Sequence, residues 1–310
     1  MAGKNQDIDK WIRRFLAEEP PRSKSIVVTI FGDSIAPRGG AAWLGGLIDV
    51  LAPFGINDRL VRTSVFRLTE EGWLESQREG RHSLYRLTPS GLRRFEHAYR
   101  RIYTPPSREW DGAWTLVLLP RLANGAGERA ELRKELEWEG FGLIAPGVFG
   151  HPAADRPALA DILQSLELQE KVFVISATDP DAFGARPIRD LIAQCWNLEG
   201  LVAGYRRFVA RFEPMLRLFR AGTLPSPEQA FLVRTLLIHS FRRVILHDPR
   251  IPAAMLPQDW PGQYAYELCR ELYRLSYRQT EAYLVQTLEG THGTLPAAAP
   301  YFYQRFGGLA

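Results

Sequence analysis

Four polar side chains recur at the spacing of one helical face in a basic stretch of the chain: Arg59, Arg62, Thr63 and Arg67. Guanidinium groups bind phosphate oxygens and guanine edges, often through two parallel hydrogen bonds. A helix that carries such a face fits the major groove of DNA. These residues therefore predict noncovalent binding of nucleic acid, with the helix reaching base edges.

A second basic set follows within twenty residues, around the glycine of REGRH, and consists of Arg78, Arg81 and His82. The alternating residues on either side of this turn are typical of a β-hairpin. We expect the hairpin tip to hold phosphate or the minor groove beside the helix. A row of arginines on one helix is more often only a solvated surface, so the surrounding elements have to support this interpretation.

The neighbouring elements are those of a winged helix-turn-helix. Apolar residues at helical spacing predict a core-facing stripe made of Ile56, Leu60, Val61, Ser64, Val65 and Leu68. Asn57 is a suitable N-cap for that helix. A short amphipathic helix at 44–51 and the turn APFG at 52–55 precede it, and strands at 73–77 and 83–87 follow it. Residues 25–31 fit a further helix, and Thr88 opens a connecting helix that runs to Tyr103.

Charge is concentrated in the same part of the chain. Residues 22–103 carry thirteen cationic and eight acidic side chains, which gives a net charge of +5. The whole chain has a net charge of +4, so the remaining residues contribute no net positive charge. Only five of the 39 basic residues are lysine. Arginine suits bidentate contact with phosphate or guanine, although a GC-rich genome would give the same bias.

The middle of the chain is predicted to alternate strands and helices. Strands are expected at 114–119, 143–145, 148–149 and 171–176, and helices at 128–139 and 157–166. The order β-α-β-β-α-β is typical of a ferredoxin-like fold. From residue 188 the pattern is helical, with candidates at 188–197, 200–219, 227–246 and 263–287.

The predicted fold class is α+β with several domains. The expected parts are an N-terminal extension (1–22), a winged helix with its connecting helix (23–103), a ferredoxin-like dimerisation domain (108–180) and an all-helical regulatory domain (184–310). The first 25 residues lack the apolar segment of a secretory signal, and no apolar run is long enough to span a bilayer. We expect a cytoplasmic protein that does not contact the membrane.

Motifs for catalysis or tight cofactor binding are missing from the sequence. It has no glycine-rich phosphate loop, nucleophile elbow or HExxH motif, and Cys195 and Cys269 are isolated. We therefore predict no enzyme activity, no metal site and no cofactor. His239 and His247 flank two arginines on one predicted helix, an arrangement that fits either a pocket or ordinary packing.

Several sequence blocks resemble a known family. The blocks are FGDSIAPRGG, WLGGLI, VRTSVFRLTEEGWL, GRHSLYRLT, WDGAW, WEGFGLIAPGVF, LLIHSFRRVILHDPRIPAAMLP, WPGQYA and YFYQRFGG. Together they resemble the PaaX family, the repressors of bacterial phenylacetate catabolism, and they are spread from Phe31 to Gly308.

The resemblance implies a homodimeric repressor that binds double-stranded operator DNA and is released by phenylacetyl-coenzyme A. It also implies a middle domain like the Cas2 nuclease. A nuclease is the less favoured alternative, because the first middle strand closes in VLLP at 117–120, where a metal ligand would be needed. A regulator of the same fold that senses a different aromatic acyl-coenzyme A remains an open alternative.

An acyl-coenzyme A effector requires apolar walls and fixed cations. Aromatic and cationic residues of the C-terminal half predict a pocket between the middle and C-terminal domains, with these candidate residues: Trp196, Arg206, Arg242, Arg243, His247 and Trp260.

Overall fold

The computed structural model describes residues 2–105, 110–119, 126–178, 188–292 and 295–309. The N-terminal helices are α1 (Ala2–Glu18), α2 (Ser23–Ile30), α3 (Leu44–Leu51), α4 (Asp58–Glu70) and α5 (Pro89–Tyr103). The strands are β1 (Ala41–Trp43), β2 (Leu74–Glu79) and β3 (His82–Leu87), which form an antiparallel sheet in the order β1-β3-β2. A π-helix, Phe31–Ile35, follows α2 directly.

Side-chain caps fix where α4 and α5 begin. The Asn57 side chain accepts a hydrogen bond of 3.0 Å from the backbone N–H of Leu60, so the predicted cap of α4 is confirmed. Thr88 Oγ1 accepts the N–H of Gly91 at 2.9 Å at the start of α5. A Cβ atom at Gly91 would lie 2.2 Å from the carbonyl oxygen of Trp73. Only glycine therefore lets α5 start against the end of the preceding turn.

The inner face of α4 is mostly as predicted. Val61, Val65 and Leu68 are buried, and Ser64 Oγ donates to Ser23 Oγ on α2 at 3.1 Å. Leu60, which was assigned to this stripe, is instead 44% exposed. It lies in the first turn of the helix, where the amphipathic pattern continues but none of the described elements covers it.

The middle segment contains β4 (Ala113–Leu118), α6 (Ala126–Trp138), β5 (Gly142–Ala145), β6 (Val148–His151), α7 (Arg156–Ser165) and β7 (Phe173–Thr178). The predicted order β-α-β-β-α-β is confirmed. All strand pairs are antiparallel, and the strand order is β5-β6-β4-β7. The last strand begins two residues later than predicted. Residue 120, which ends the predicted VLLP segment, and residues 108, 180 and 184, which bound the predicted domains, lie outside the described residues.

This four-stranded sheet has two differently covered faces, because successive side chains of a strand point to opposite sides. Val117 of β4 joins the core formed with α6 and α7, which includes Leu132, Leu136 and Phe149. Trp114, on the opposite face of the same strand, packs with Ile192 and with residues of the 251–256 segment.

The described residues of the C-terminal part form helices joined by irregular segments. The helices are α8 (Ile188–Cys195), α9 (Leu198–Arg220), α10 (Pro227–Ile245), α11 (Gly262–His292) and α12 (Pro300–Tyr303). The chain groups into two compact units. Unit 1 comprises residues 1–105, 207–243 and 264–310, and unit 2 comprises residues 106–206 and 244–263. Compactness therefore assigns most of the predicted C-terminal domain to the same unit as the N-terminal elements, whereas the sequence separated them.

Helix α1, predicted as an extension, is packed into unit 1. Ile8, Ile12 and Phe15 are buried, and Trp11 Nε1 donates to the carbonyl oxygen of Arg211 at 3.1 Å. The helical periodicity of α5 predicts that Leu92 faces the core and that Arg101 faces outward. Both predictions are wrong, because Leu92 is 41% exposed and Arg101 is buried.

Candidate nucleic-acid interface and buried ion-pair cluster

The outer face of α4 is exposed and basic. Arg59, Thr63 and Arg67 are exposed, Arg62 is 58% exposed at its side chain, and Phe66 is 60% exposed. The Thr63 hydroxyl donates to the carbonyl oxygen of Arg59 at 2.8 Å, which leaves its methyl group and oxygen lone pairs on the surface. The buried opposite face holds this surface in place.

The arginines of α4 differ in how they are paired. Arg62 Nε lies 2.6 Å from Asp58 Oδ1, one helical turn earlier. Neither Arg59 nor Arg67 has an ion-pair partner among the described residues. Those two guanidiniums can bind an anion without first breaking a salt bridge, whereas Arg62 must leave Asp58 or bind beside it.

The β2–β3 hairpin carries the second predicted set. Arg78, Arg81 and His82 are exposed around the turn, where Gly80 has a φ of +60°. Arg78 Nε donates to the carbonyl oxygen of Gly80 at 3.2 Å. The His82 ring also meets Trp43 edge-on, with 6.3 Å between centroids. The structure thus brings these three side chains together at one hairpin tip.

A buried ion-pair cluster in unit 1, comprising Asp33, Tyr103, Arg234, Tyr273 and Arg305, was not predicted. The Asp33 carboxylate accepts hydrogen bonds from Tyr103 at 2.6 Å, Tyr273 at 2.9 Å, Arg234 at 2.8 Å and Arg305 at 2.9 Å. The guanidinium of Arg305 also lies 4.1 Å from the Tyr103 ring centroid. The cluster joins the π-helix to α5, α10, α11 and the C-terminal segment.

Burial alone would raise the pKa of Asp33, but the two guanidiniums and the Tyr103 hydroxyl outweigh it and lower that pKa. Asp33 is therefore an anion inside the core. The sequence does contain a signal for this arrangement. Asp33 and Arg234 are single charges within the apolar runs IVVTIFGDSI and AFLVRTLLI, as expected of charges that pair in a core.

The predicted effector residues are divided between the two compact units. Arg242 and Arg243 belong to unit 1, and the other four belong to unit 2. Within unit 2, Trp196 Nε1 donates to the Gly140 carbonyl oxygen at 2.8 Å, whereas Arg206 pairs with Asp259. Trp260 instead packs against Tyr205. His247 is exposed. Each of these side chains has its own local environment.

The two adjacent arginines of α10 have contrasting surroundings. Arg242 Nη2 donates to the carbonyl oxygen and hydroxyl of Ser25, at 2.9 and 2.8 Å, and its side chain lines a cleft. Arg243 is 58% exposed and pairs with Glu19 at 2.7 Å. Between α10 and α2, His239 Nδ1 lies 3.0 Å from Thr29 Oγ1. Of the two predicted effector residues on α10, Arg242 therefore lines a cleft and Arg243 lies on the surface.

Among the described residues, no group of three or more histidine, cysteine, aspartate or glutamate side chains could hold a metal ion. No helix in the described part of the chain is long and apolar enough to cross a bilayer.

Comparison with known proteins gives matches along the whole chain. The family described as "PaaX-like protein" matches residues 22–91, "PaaX protein central Cas2-like domain" matches 107–188, and "PaaX-like protein C-terminal domain" matches 196–286. The transcriptional repressor PaaX of Escherichia coli K12 is 35% identical over 303 residues, covering 97% of this chain and 95% of that protein.

A solved structure is also similar. The uncharacterized protein Rv0674 from Mycobacterium tuberculosis matches with a TM-score of 0.53 and 24% identity, covering 84% of this chain and 98% of that one. At this identity the likeness concerns the fold.

Proposed function

The chain belongs to the PaaX family of transcriptional repressors, and from this membership we propose that it binds double-stranded operator DNA through α4 and the β2–β3 hairpin. The relationship indicates a regulator rather than an enzyme. The observation that carries the proposal is the exposed basic face of α4, with Arg59 and Arg67 unpaired among the described residues, opposite a buried apolar face.

The arrangement of elements supports a winged helix-turn-helix. Helix α3 is followed by a tight turn, in which Gly55 has a φ of +75°, and then by α4 and an antiparallel hairpin. In such domains the second helix enters the major groove and the hairpin contacts the flanking backbone or minor groove. Phe66, exposed between Arg62 and Arg67, is suited to contact a thymine methyl group.

A homodimer would give the DNA-binding helices the second half-site that one small domain lacks. The Cas2-like central domain supports this, because its edge strand β7 exposes Phe173, Val174 and Ile175. An exposed apolar edge strand tends to pair or be covered. A nuclease role is disfavoured, since β4 contains no carboxylate that could hold a metal at phosphate.

The operon regulated in this proposal is the phenylacetate catabolic operon, and the signal that releases the repressor is phenylacetyl-coenzyme A. Family membership supports both parts of this proposal. The alternative is a regulator of the same fold that answers to another aromatic acyl-coenzyme A. Titration of the DNA complex with phenylacetyl-, benzoyl- and acetyl-coenzyme A distinguishes the two, since only the effector releases DNA at micromolar concentration.

The DNA-binding proposal is tested by fluorescence anisotropy with duplex DNA from the promoter of the phenylacetate genes. Arg67→Ala is expected to weaken binding to the promoter DNA by roughly 1–3 kcal/mol. It should also lower the ratio of the affinity for promoter DNA to the affinity for scrambled DNA. The matched control is Arg217→Ala, which removes an arginine that is 72% exposed on α9. Unchanged affinity and selectivity in Arg67→Ala would show that α4 does not read the DNA.

A further inference from the structure

The exposed face of α4 carries a row of methyl-bearing and apolar side chains between its arginines. Leu60, Thr63 and Phe66 follow one another at every third position, and residues three apart on a helix are neighbours on its surface. Leu60 is 44% exposed and Phe66 is 60% exposed, and Thr63 is exposed between them. These three residues form the apolar ridge of α4.

The core of unit 1 does not account for the apolar ridge. Val61, Val65 and Leu68 already form the buried side of the helix. Single exposed apolar side chains are common on protein surfaces, but here they adjoin on the face that carries the arginines. A face that bound only phosphate would gain nothing from leucine or phenylalanine. The ridge therefore suits a partner surface that is itself partly apolar.

Thr63 adds a methyl group to the ridge. Its hydroxyl donates to the carbonyl oxygen of Arg59 at 2.8 Å, so the hydroxyl proton is already used within the helix. The exposed methyl group continues the row between Leu60 and Phe66. Only an oxygen lone pair of this side chain remains for a polar contact.

Guanidinium groups lie on both sides of the apolar ridge. Rows of residues three apart run side by side on a helix surface, so Arg59 and Arg62 form the row on one side and Arg67 belongs to the row on the other. Cations on both sides favour a partner whose apolar groups are bordered by anions. This charge complementarity favours DNA over an apolar protein surface.

The apolar group that the major groove of DNA offers is the 5-methyl group of thymine, which the other three bases lack. We propose that the apolar ridge reads thymine methyl groups, so that Leu60, Thr63 and Phe66 set a preference for thymine while the arginines beside them bind phosphate and guanine. The proposal rests on the proposed DNA binding by α4 and names the bases that this helix recognises.

The length of the ridge limits the spacing of the thymines. Leu60 and Phe66 are separated by a rise of about 9 Å along the helix axis, which is close to the length of roughly two to three base-pair steps. One half-site should therefore contain methyl contacts about two to three base pairs apart. Methyl contacts more than about five base pairs apart would not fit one ridge and would overturn the proposal.

Uracil tests the ridge directly, because it pairs like thymine but has no methyl group. Promoter DNA of the phenylacetate genes is amplified with deoxyuridine in place of thymidine, and anisotropy compares both DNAs with the full-length protein. Losing one buried methyl group should weaken binding about fourfold, so wild type should bind uracil DNA at least about fourfold more weakly. Replacing thymines one at a time then gives the spacing of the contacts.

The double variant Leu60→Ala, Phe66→Ala removes the ridge from the protein side. Both residues are exposed, so thermal stability should be retained. This variant should distinguish thymine from uracil DNA by less than about twofold, because the methyl groups have lost their partners. The matched control is Leu275→Ala, which removes a leucine that is 43% exposed on α11, and it should keep the wild-type ratio.

Equal wild-type affinities for thymine and uracil DNA, with the preference for promoter over scrambled DNA retained, would overturn the ridge and leave the DNA-binding proposal intact. An equal loss in wild type and the double variant would also overturn it, since the methyl groups would then act through DNA shape. A double variant that binds both DNAs like wild type and differs only in sedimentation would make the ridge a protein contact instead. A wild type that does not prefer promoter DNA would overturn both proposals.

Discussion

Asp33 lies at the centre of the buried ion-pair cluster in unit 1. Its carboxylate accepts four hydrogen bonds from four side chains, two of which are guanidiniums with fully buried side chains. Charges of this kind are tolerated in a core only when they are paired and hydrogen-bonded. Arg234 also pairs with Glu281, so a polar substitute for Asp33 that carries no charge would leave two buried guanidiniums with one carboxylate fewer.

His239 is predicted to make the free energy of unfolding depend on pH. Burial, together with the nearby Arg242 and Arg243, lowers the pKa of His239 to about 3 and outweighs the opposing effect of Glu19. An unfolded histidine has a pKa of about 6.5, so the unfolded state binds the extra proton between these values. The free energy of unfolding should therefore fall as pH decreases from about 6.5, by at most roughly 1.4 kcal/mol per pH unit from this group.

Urea denaturation of His239→Gln between pH 7 and pH 5 checks this. The glutamine can still bond to Thr29 but does not titrate, so its loss of stability on acidification should be smaller than that of wild type. His247→Gln, which removes a histidine from an exposed position, is the control. Equal slopes for wild type and His239→Gln would contradict the prediction.

At the scale of elements, α4 and the β2–β3 hairpin are expected to divide the work of DNA binding. The hairpin tip presents Arg78 and Arg81, exposed guanidiniums that suit phosphate better than a particular base. Arg81→Ala should weaken binding to all sequences alike. It should also lower the slope of log affinity against log salt by about 0.9 for one lost phosphate contact.

The measurement is anisotropy over a range of salt concentrations, with Arg67→Ala as the comparison. The helix variant should change the ratio of specific to scrambled DNA affinity, and the hairpin variant should not. A change in that ratio for Arg81→Ala, with an unchanged salt slope, would assign base reading to the hairpin instead.

At the scale of the whole molecule, the exposed edge of the central sheet predicts how two copies associate. Phe173 and Ile175 of β7 are 64% and 46% exposed and lie on the same side of the strand. Phe173→Lys combined with Ile175→Lys should convert a dimer into a monomer, because charged side chains on an edge strand prevent edge pairing. Sedimentation velocity at micromolar protein concentration reports the outcome.

Leu224→Lys, at a residue that is 74% exposed outside any strand, is the control and should remain dimeric. A double variant that stays dimeric would place the contact elsewhere, with the C-terminal helices as the competing surface. If the wild-type protein is a monomer at this concentration, the proposed homodimer is wrong.

Local sequence patterns were enough to predict these elements and the basic surface. Helical periodicity, the Asn57 and Thr88 caps and the hairpin turn are short-range properties, so they predicted α4, α5 and β2–β3 to within a few residues. The alternation of strands and helices likewise predicted the central sheet. An exposed arginine face follows from the same periodicity, because residues on the side opposite an apolar stripe point outward.

Contacts between residues that are distant in the chain could not be predicted from such patterns. Asp33 and Arg305 are 272 positions apart, and no periodicity relates them. Arg242 and Arg243 look alike in sequence, yet Arg242 donates to Ser25 of α2 and lines a cleft, whereas Arg243 faces solvent beside Glu19. The sequence therefore supplied the chemistry of each side chain. Packing between helices far apart in the chain created the buried cluster and the cleft, because burial and pairing depend on neighbours that local patterns do not specify.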